Sequence, residues 1–299
     1  MLTRRTLLKG AASVLAVPGS ALAGASTVRS IPTTGASVPV IGLGSWITFN
    51  VGNDPVLLDK CAEVIAAFVE AGGGMIDSSP MYGSSQDTIG YALQKLGYPE
   101  NVFSADKVWT RAAEEGGTQI AQSRAAWGID MFDLMQVHNL VAWEAHIETL
   151  FAMKEQGRIR HVGLTTSHGR RHDLLERLMR DYPVDTVQLT YNLADRAAED
   201  RLLPLAREKG ITVIANRPFQ GGGLARRLEG RPLPAVAAEL GAQNWPQLLL
   251  KFIISHPALP VAIPATTKVT HVRENMATAK GALPDADMRR AILSHFRSL

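Results

Sequence analysis

The sequence predicts an α/β protein of the (β/α)8 TIM-barrel type, built as a single domain, and three observations carry that prediction. Short apolar runs alternate with longer amphipathic segments eight times, the pattern of a parallel sheet wrapped by helices. Once an amino-terminal leader is set aside, about 275 residues remain, against the ~250 usual for one closed barrel. The main competing fold, an open doubly wound sheet, would bring a Gly-x-Gly-x-x-Gly turn after its first strand. Gly42-Leu43-Gly44-Ser45-Trp46 lacks the third glycine.

The leader comes first. Thr3-Arg4-Arg5-Thr6-Leu7-Leu8-Lys9 is followed by a small, weakly apolar stretch over residues 10–17 and by Ala21-Leu22-Ala23, a small-x-small cleavage pattern. Residues 1–23 therefore read as a cleaved secretory signal, outside the fold. The paired arginines ahead of Leu-Leu-Lys resemble a twin-arginine (Tat) signal, which implies the Tat export machinery as a partner and a periplasmic or otherwise exported destination. The stretch is too short and too rich in Gly, Ala and Ser for a membrane span of ~20 residues, so no stable membrane insertion is expected after cleavage.

The barrel domain is assigned to residues 30–299. Residues 29–39, with Pro32, Thr33, Thr34 and Gly35, read as a hairpin closing the barrel floor. Strands are expected at 40–43, 75–77, 102–107, 131–138, 159–164, 186–190, 212–215 and 260–263. Helices are expected at 56–71, 87–96, 118–127, 143–155, 171–180, 197–208 and 246–255, with a last one at 285–296.

Removing the leader deletes Arg4, Arg5 and Lys9 and no acid, so 31 basic residues fall to 28 against 28 acidic ones. The remaining chain is near neutral, and its arginine pairs at 170/171, 226/227 and 289/290 are scattered without interleaved aromatics. A nucleic-acid partner is not expected. Cys61 is the only cysteine, which excludes an intramolecular disulfide, and its helical, apolar neighbours mark it as a small buried hydrophobe. His168 and His172 share helical spacing but lack a third ligand, so no metal is expected.

The chemistry is carried by the ends of successive apolar runs. Met75-Ile76-Asp77-Ser78-Ser79-Pro80-Met81-Tyr82-Gly83 holds Asp77 and Tyr82, Val102-Phe103-Ser104-Ala105-Asp106-Lys107 ends on Lys107, and Leu134-Met135-Gln136-Val137-His138 ends on His138. Polar groups at consecutive strand ends describe a site at one rim of a barrel, where enzymes of this architecture keep their chemistry. Their order, spacing and neighbours resemble the catalytic tetrad of the aldo/keto reductases over nearly the whole mature length. That resemblance implies an enzyme in which a reduced nicotinamide gives hydride to an aldehyde or ketone and Tyr82 supplies the proton.

Tyrosine needs help in that role. Its reference pKa is near 10, and a nearby ammonium favours release of the phenolic proton. Lys107 is the candidate cation, Asp77 its partner, and His138 the donor to the substrate oxygen.

The resemblance also implies cofactor contacts. Thr165 and Thr166 stand where the family usually carries serine and asparagine on the nicotinamide carboxamide, and Gln188 matches the glutamine completing that site. Asn216 occupies a position commonly held by a stacking aromatic, followed by Arg217, Pro218 and Phe219 and by a glycine run from Gly221 suited to approach a pyrophosphate. After the last strand, Glu274 and Asn275 match the family's adenine contact, and Thr266, Lys268 and His271 are assigned to the same end of the cofactor. Ala265 and His271 replace the usual basic pair, so NADPH is expected over NADH by a shallow margin, with Lys268 and Arg273 as the cations. Trp46, Trp109 and Asn139 are expected to line the mouth that admits a small carbonyl substrate. The alternative reading is a cofactor-binding or sensory barrel with little turnover, as potassium-channel beta subunits of this family illustrate.

Overall fold

The computed structural model describes residues 27–299, so the leader lies outside the described residues. The described chain opens with an antiparallel hairpin, β1 (Val28–Ser30) and β2 (Ser37–Pro39), with Arg29 opposite Val38. Eight parallel strands follow: β3 (Leu43–Gly44), β4 (Met75–Asp77), β5 (Phe103–Val108), β6 (Phe132–Val137), β7 (Ile159–Thr165), β8 (Thr186–Thr190), β9 (Thr212–Asn216) and β10 (Val261–Ala262). They lie side by side in chain order. Parallel bridges from Ile41 to Ala262 and from Gly44 to Ala265 bring the first strand against the last. Ala262 N–H donates to Val40 O at 2.9 Å and Gly42 N–H to Ala262 O at 2.8 Å across that seam. The architecture is the expected (β/α)8 fold.

The hairpin does what its sequence position suggested. Ile31 and Val38, both fully buried, join Met75, Ala105, Leu134, Ile214 and Val261 in one cluster inside the barrel floor. A second, larger apolar shell lies between strands and helices, including Val40, Ile76, Met135, Val187 and Leu249. Period-two alternation explains both: neighbouring residues on one strand face opposite sides, one into the barrel and one toward the helices.

Helix starts are set by local chemistry. Asp54 accepts from Val56 N–H at 2.9 Å and Leu57 N–H at 3.1 Å at the head of Pro55–Glu70, where Pro55 gives up no needed donor. Asn244 and Asp285 cap Trp245–Ile254 and Ala286–Arg297 in the same way. On the first helix, burial pushes the Cys61 thiol up to about 11, as suits a small hydrophobe.

Boundaries differ from expectation in three informative places. The helix expected over 197–208 is split into a 3-10 turn, Ala197–Glu199, and a helix, Leu202–Lys209. Pro204 explains it, because a proline fits only the first turn of a helix. Strand β6 ends at Val137, one residue early, and His138 opens a turn with Asn139 and Leu140 both left-handed. The structure adds a helix at Val269–Ala277 and two short ones, Gly223–Leu228 and Val236–Glu239, that are too brief for a periodic signal. Among the described residues no helix is long and apolar enough to cross a membrane.

Candidate active site

The carboxyl ends of β4, β5 and β6 bring the predicted tetrad together. Lys107 is wholly buried, and its Nζ donates to Asp77 Oδ2 at 2.6 Å and to Ser78 O at 2.7 Å. The other carboxylate oxygen of Asp77 accepts from Gln188 Nε2 at 2.8 Å and Gln136 Nε2 at 3.2 Å. Burial works against the lysine's charge, but the Asp77 carboxylate, by its charge and its hydrogen bond, outweighs it and holds the ammonium above its ordinary range. A buried charge of this kind persists only when paired and hydrogen-bonded, and Asp77 does both.

Tyr82 is presented by a tight turn. Its N–H donates to Ser79 O at 3.0 Å, and Gly83 follows at φ 63°. A Cβ on Gly83 would collide with the Asn50 side chain, so the Tyr-Gly pair is required by both conformation and space. Asn50 Oδ1 accepts from Ser84 N–H at 3.0 Å, and a buried chain of hydroxyls, Ser45 to Ser78 to Ser85, ties the turn to the following helix. Lys107 Nζ lies 5.2 Å from the Tyr82 ring centroid, and the His138 ring meets that ring edge-on at 5.7 Å. Burial raises the phenol's pKa, Lys107 opposes the rise, and the net direction is upward. The phenol therefore holds its proton at neutral pH.

His138 is buried beside the lysine. Desolvation and then the Lys107 charge push its imidazole down to about 3, so the ring is neutral. Its Nδ1 lies 2.8 Å from Ser79 Oγ. Beyond it, Asn139, Leu140 and Ala142 all have positive φ, a clustering of costly backbone typical of functional rims. Arg171 stabilises this turn by donating to Asn139 O at 3.1 Å and Leu140 O at 3.0 Å. Trp109 sits 6.5 Å from the His138 ring, and Trp46 lies near Gly221; both indoles are partly exposed.

The expected cofactor residues fall into two groups. At the ends of β7, β8 and β9, Thr166 N–H donates to Gln188 O, Asn216 Nδ2 donates to Thr166 O at 2.9 Å, and Thr190 Oγ1 donates to Asn216 Oδ1 at 2.8 Å. Asn216 thus ties three strand ends together, so its side chain is committed to the protein. Thr165 Oγ1 accepts from Asn139 N–H, whereas Thr166 Oγ1 is buried without a partner among the described residues. Gln188 also serves Asp77, so its amide nitrogen is already engaged. Arg217 is left-handed at φ 53°, Pro218 is buried, Phe219 half-buried, and Gly221 and Gly222 both have positive φ. The second group follows β10: Thr266 Oγ1 lies 3.2 Å from His271 Nδ1, Lys268 and Glu274 are exposed, and Asn275 is buried.

Several participants were not anticipated. Gln136 belongs to the Asp77 network, and alternation back from His138 would have placed it inside the barrel. Gly163 makes room for it, since a Cβ there would strike the Gln136 side chain and Thr186 Oγ1. Asp106 faces away from Lys107 into the helix shell, fully buried, accepting from Gln86 Nε2 at 2.8 Å, and burial pushes its carboxyl up to about 7 against the pull of Lys107 and Gln86. Among the described residues no group of three or more His, Cys, Asp or Glu is placed to hold a metal ion.

A parallel eight-stranded barrel with a buried Lys–Asp pair beside a tyrosine and a neutral histidine defines an oxidoreductase class. Residues 40–292 match the aldo/keto reductase family, and the chain belongs to that family. Methylglyoxal reductase YeaE of Escherichia coli is 28% identical over 261 residues, covering 84% of this chain and 89% of that enzyme. The NADH-specific methylglyoxal reductase of the same organism is 25% identical, covering 87% and 96%. In structure, the chain is similar to a Klebsiella pneumoniae aldo/keto reductase in complex with NADP and acetate, with a TM-score of 0.73 and 24% identity over 87% of this chain and 93% of that one. A Bacillus halodurans aldo-keto reductase in its holo form gives 0.74 at 20% identity, covering 91% and 96%.

Proposed function

We propose that this protein reduces an aldehyde or ketone with a reduced nicotinamide, NADPH in preference to NADH, Tyr82 acting as proton donor. The observation that supports it best is the buried Lys107–Asp77 pair set 5.2 Å from the Tyr82 ring, with neutral His138 against the same ring. A reduced nicotinamide, when bound, would supply hydride to the substrate carbonyl. As negative charge grows on the carbonyl oxygen, His138 donates a hydrogen bond to it, and Tyr82 passes over its phenolic proton. Lys107 then stabilises the phenolate, and Asp77 keeps the lysine charged and oriented.

The residues present fit the cofactor. The buried hydroxyl of Thr166, without a partner among the described residues, is a ready contact for a carboxamide, Gly221 and Gly222 take the left-handed turn a close backbone approach needs, and a Cβ on Gly223 would meet nothing among those residues. Exposed Lys268 and Arg273 are the candidate cations for a 2′-phosphate; an exposed contact is screened by salt, so the NADPH preference is modest. Trp46, Trp109 and Asn139 border the mouth, and the names of the two E. coli relatives make methylglyoxal the first carbonyl to assay.

Replacing Tyr82 with Phe keeps the ring and removes the proton. Turnover should fall at least ~100-fold while nucleotide binding is kept. Undiminished carbonyl reduction by Tyr82→Phe overturns the assignment. One observation favours a second reading, a nicotinamide-binding barrel with little turnover: Asn216 is tied into strand-to-strand hydrogen bonds where an aromatic would stack on the ring. Tight nucleotide binding with negligible wild-type reduction of any carbonyl would select it.

The proposal extends to location. Arg4 and Arg5 support export of the folded chain by the twin-arginine route to the periplasm, the leader ending at Ala23. Lys at both positions should hold the protein in the cytoplasm on cell fractionation, and unimpaired export of that variant would refute the route.

A further inference from the structure

Ser79 lies two residues beyond Asp77, fully buried, with Oγ 2.8 Å from Nδ1 of His138. The same oxygen accepts from Met81 N–H at 3.2 Å. A hydroxyl has one proton and two lone pairs. With one lone pair taken by Met81, two arrangements remain: the hydroxyl proton points at Nδ1, or an Nδ1 proton points at Oγ. The second leaves the hydroxyl proton of a fully buried serine without an acceptor among the described residues, which native interiors avoid. The first leaves the serine hydroxyl fully paired.

The ring carries a single proton, because burial and the Lys107 charge keep it neutral. If Nδ1 accepts from Ser79, that proton must be on Nε2, which has no hydrogen-bond partner among the described residues. We infer that Ser79 is a positioning residue that locks His138 in the Nε2–H tautomer, so that the ring offers a donor to a carbonyl oxygen. In the opposite tautomer Nε2 would present a lone pair to the lone pairs of that oxygen and oppose its binding. The role reaches Tyr82 as well, whose N–H is held by the Ser79 carbonyl at 3.0 Å. One residue thereby fixes the geometry of both groups that meet the substrate oxygen, an acceptor with two lone pairs.

This inference rests on the reductase reading for its purpose but not for its test. Protein labelled with 15N-histidine is studied by long-range proton–nitrogen correlation, with His138 assigned by the signals lost in His138→Gln. Wild type should show the Nε2–H tautomer, and Ser79→Ala should shift the ring toward Nδ1–H. With it, kcat for carbonyl reduction should fall about tenfold, near the upper worth of one neutral hydrogen bond, while the NADPH dissociation constant stays put. Ser79→Cys, a weaker donor of similar shape, should fall between and replaces Ser79→Ala should that variant not fold. An Nδ1–H ring in wild type, or an unshifted Nε2–H ring in Ser79→Ala even with kcat lowered, overturns the inference. The expected tautomers in a protein that reduces no carbonyl would uphold it and remove the reductase reading instead.

Discussion

At the floor of the barrel Met75, Ala105 and Leu134 point inward against Ile31 and Val38 of the hairpin, whereas two residues further along the same strands the inward positions are Asp77, Lys107 and Gln136. A step of two residues is only ~7 Å of strand. Across it the interior passes from a dry apolar plug to an ionic network with a buried ammonium. The floor is held by area removed from water, which tolerates similar shapes. The mouth is held by complete hydrogen bonding, which tolerates almost none. The two ends should therefore fail differently.

The largest effect is expected from Lys107→Met. It leaves the Asp77 carboxylate buried beside two amides with no cation, a change that costs about 3–5 kcal/mol when one partner of a buried pair is removed. Chemical denaturation should show that loss together with near-abolished turnover; a variant of wild-type stability would mean that the pair is solvated and the contrast false. Next comes Ile31→Ala at the floor, expected to cost ~2–5 kcal/mol through a cavity in the plug. Its kcat, measured well below its melting temperature, should match wild type. Lowered kcat there would show that the floor positions the mouth.

The smallest is a matter of slope. Burial raises the Asp106 carboxyl to about 7 in the folded chain, from 3.8. A raised folded value means stability that is fully present below pH 3.8 and lost as pH rises through about 7. Asp106→Asn has no such titration. Its melting temperature relative to wild type should rise between pH 5 and pH 8, whatever constant offset the new amide introduces. Parallel melting curves across that range would place the Asp106 proton elsewhere.

Much of this was legible beforehand because strand ends are marked by a change from apolar to polar. Asp77, Lys107 and His138 each close an apolar run, and the structure gathers them as expected. The floor hairpin was legible from Pro32 to Gly35. What escaped notice lies inside runs or between elements. Gln136 sits within a strand, and only counting by twos from His138 reveals it. The clamp of Arg171 on the Asn139 and Leu140 carbonyls depends on two left-handed residues that carry no glycine to announce them. Asn216 was recognised as a departure from an aromatic, but its bridging of three strand ends needed the register of β7, β8 and β9.

Thr27, the first described residue, donates from both its N–H, at 3.0 Å, and its Oγ1, at 2.8 Å, to one carbonyl, that of Ala279. A ribosome releases those two residues some 250 positions apart. The local hairpin already holds Thr27 by its carbonyl, which accepts from Val40 N–H at 3.1 Å, but the two contacts to Ala279 form only after the segment past β10 has been made and docked. Closing the barrel thus adds a long-range tie to an otherwise local hairpin, so slow hydrogen exchange at the Thr27 amide reports that the two ends of the described chain have met.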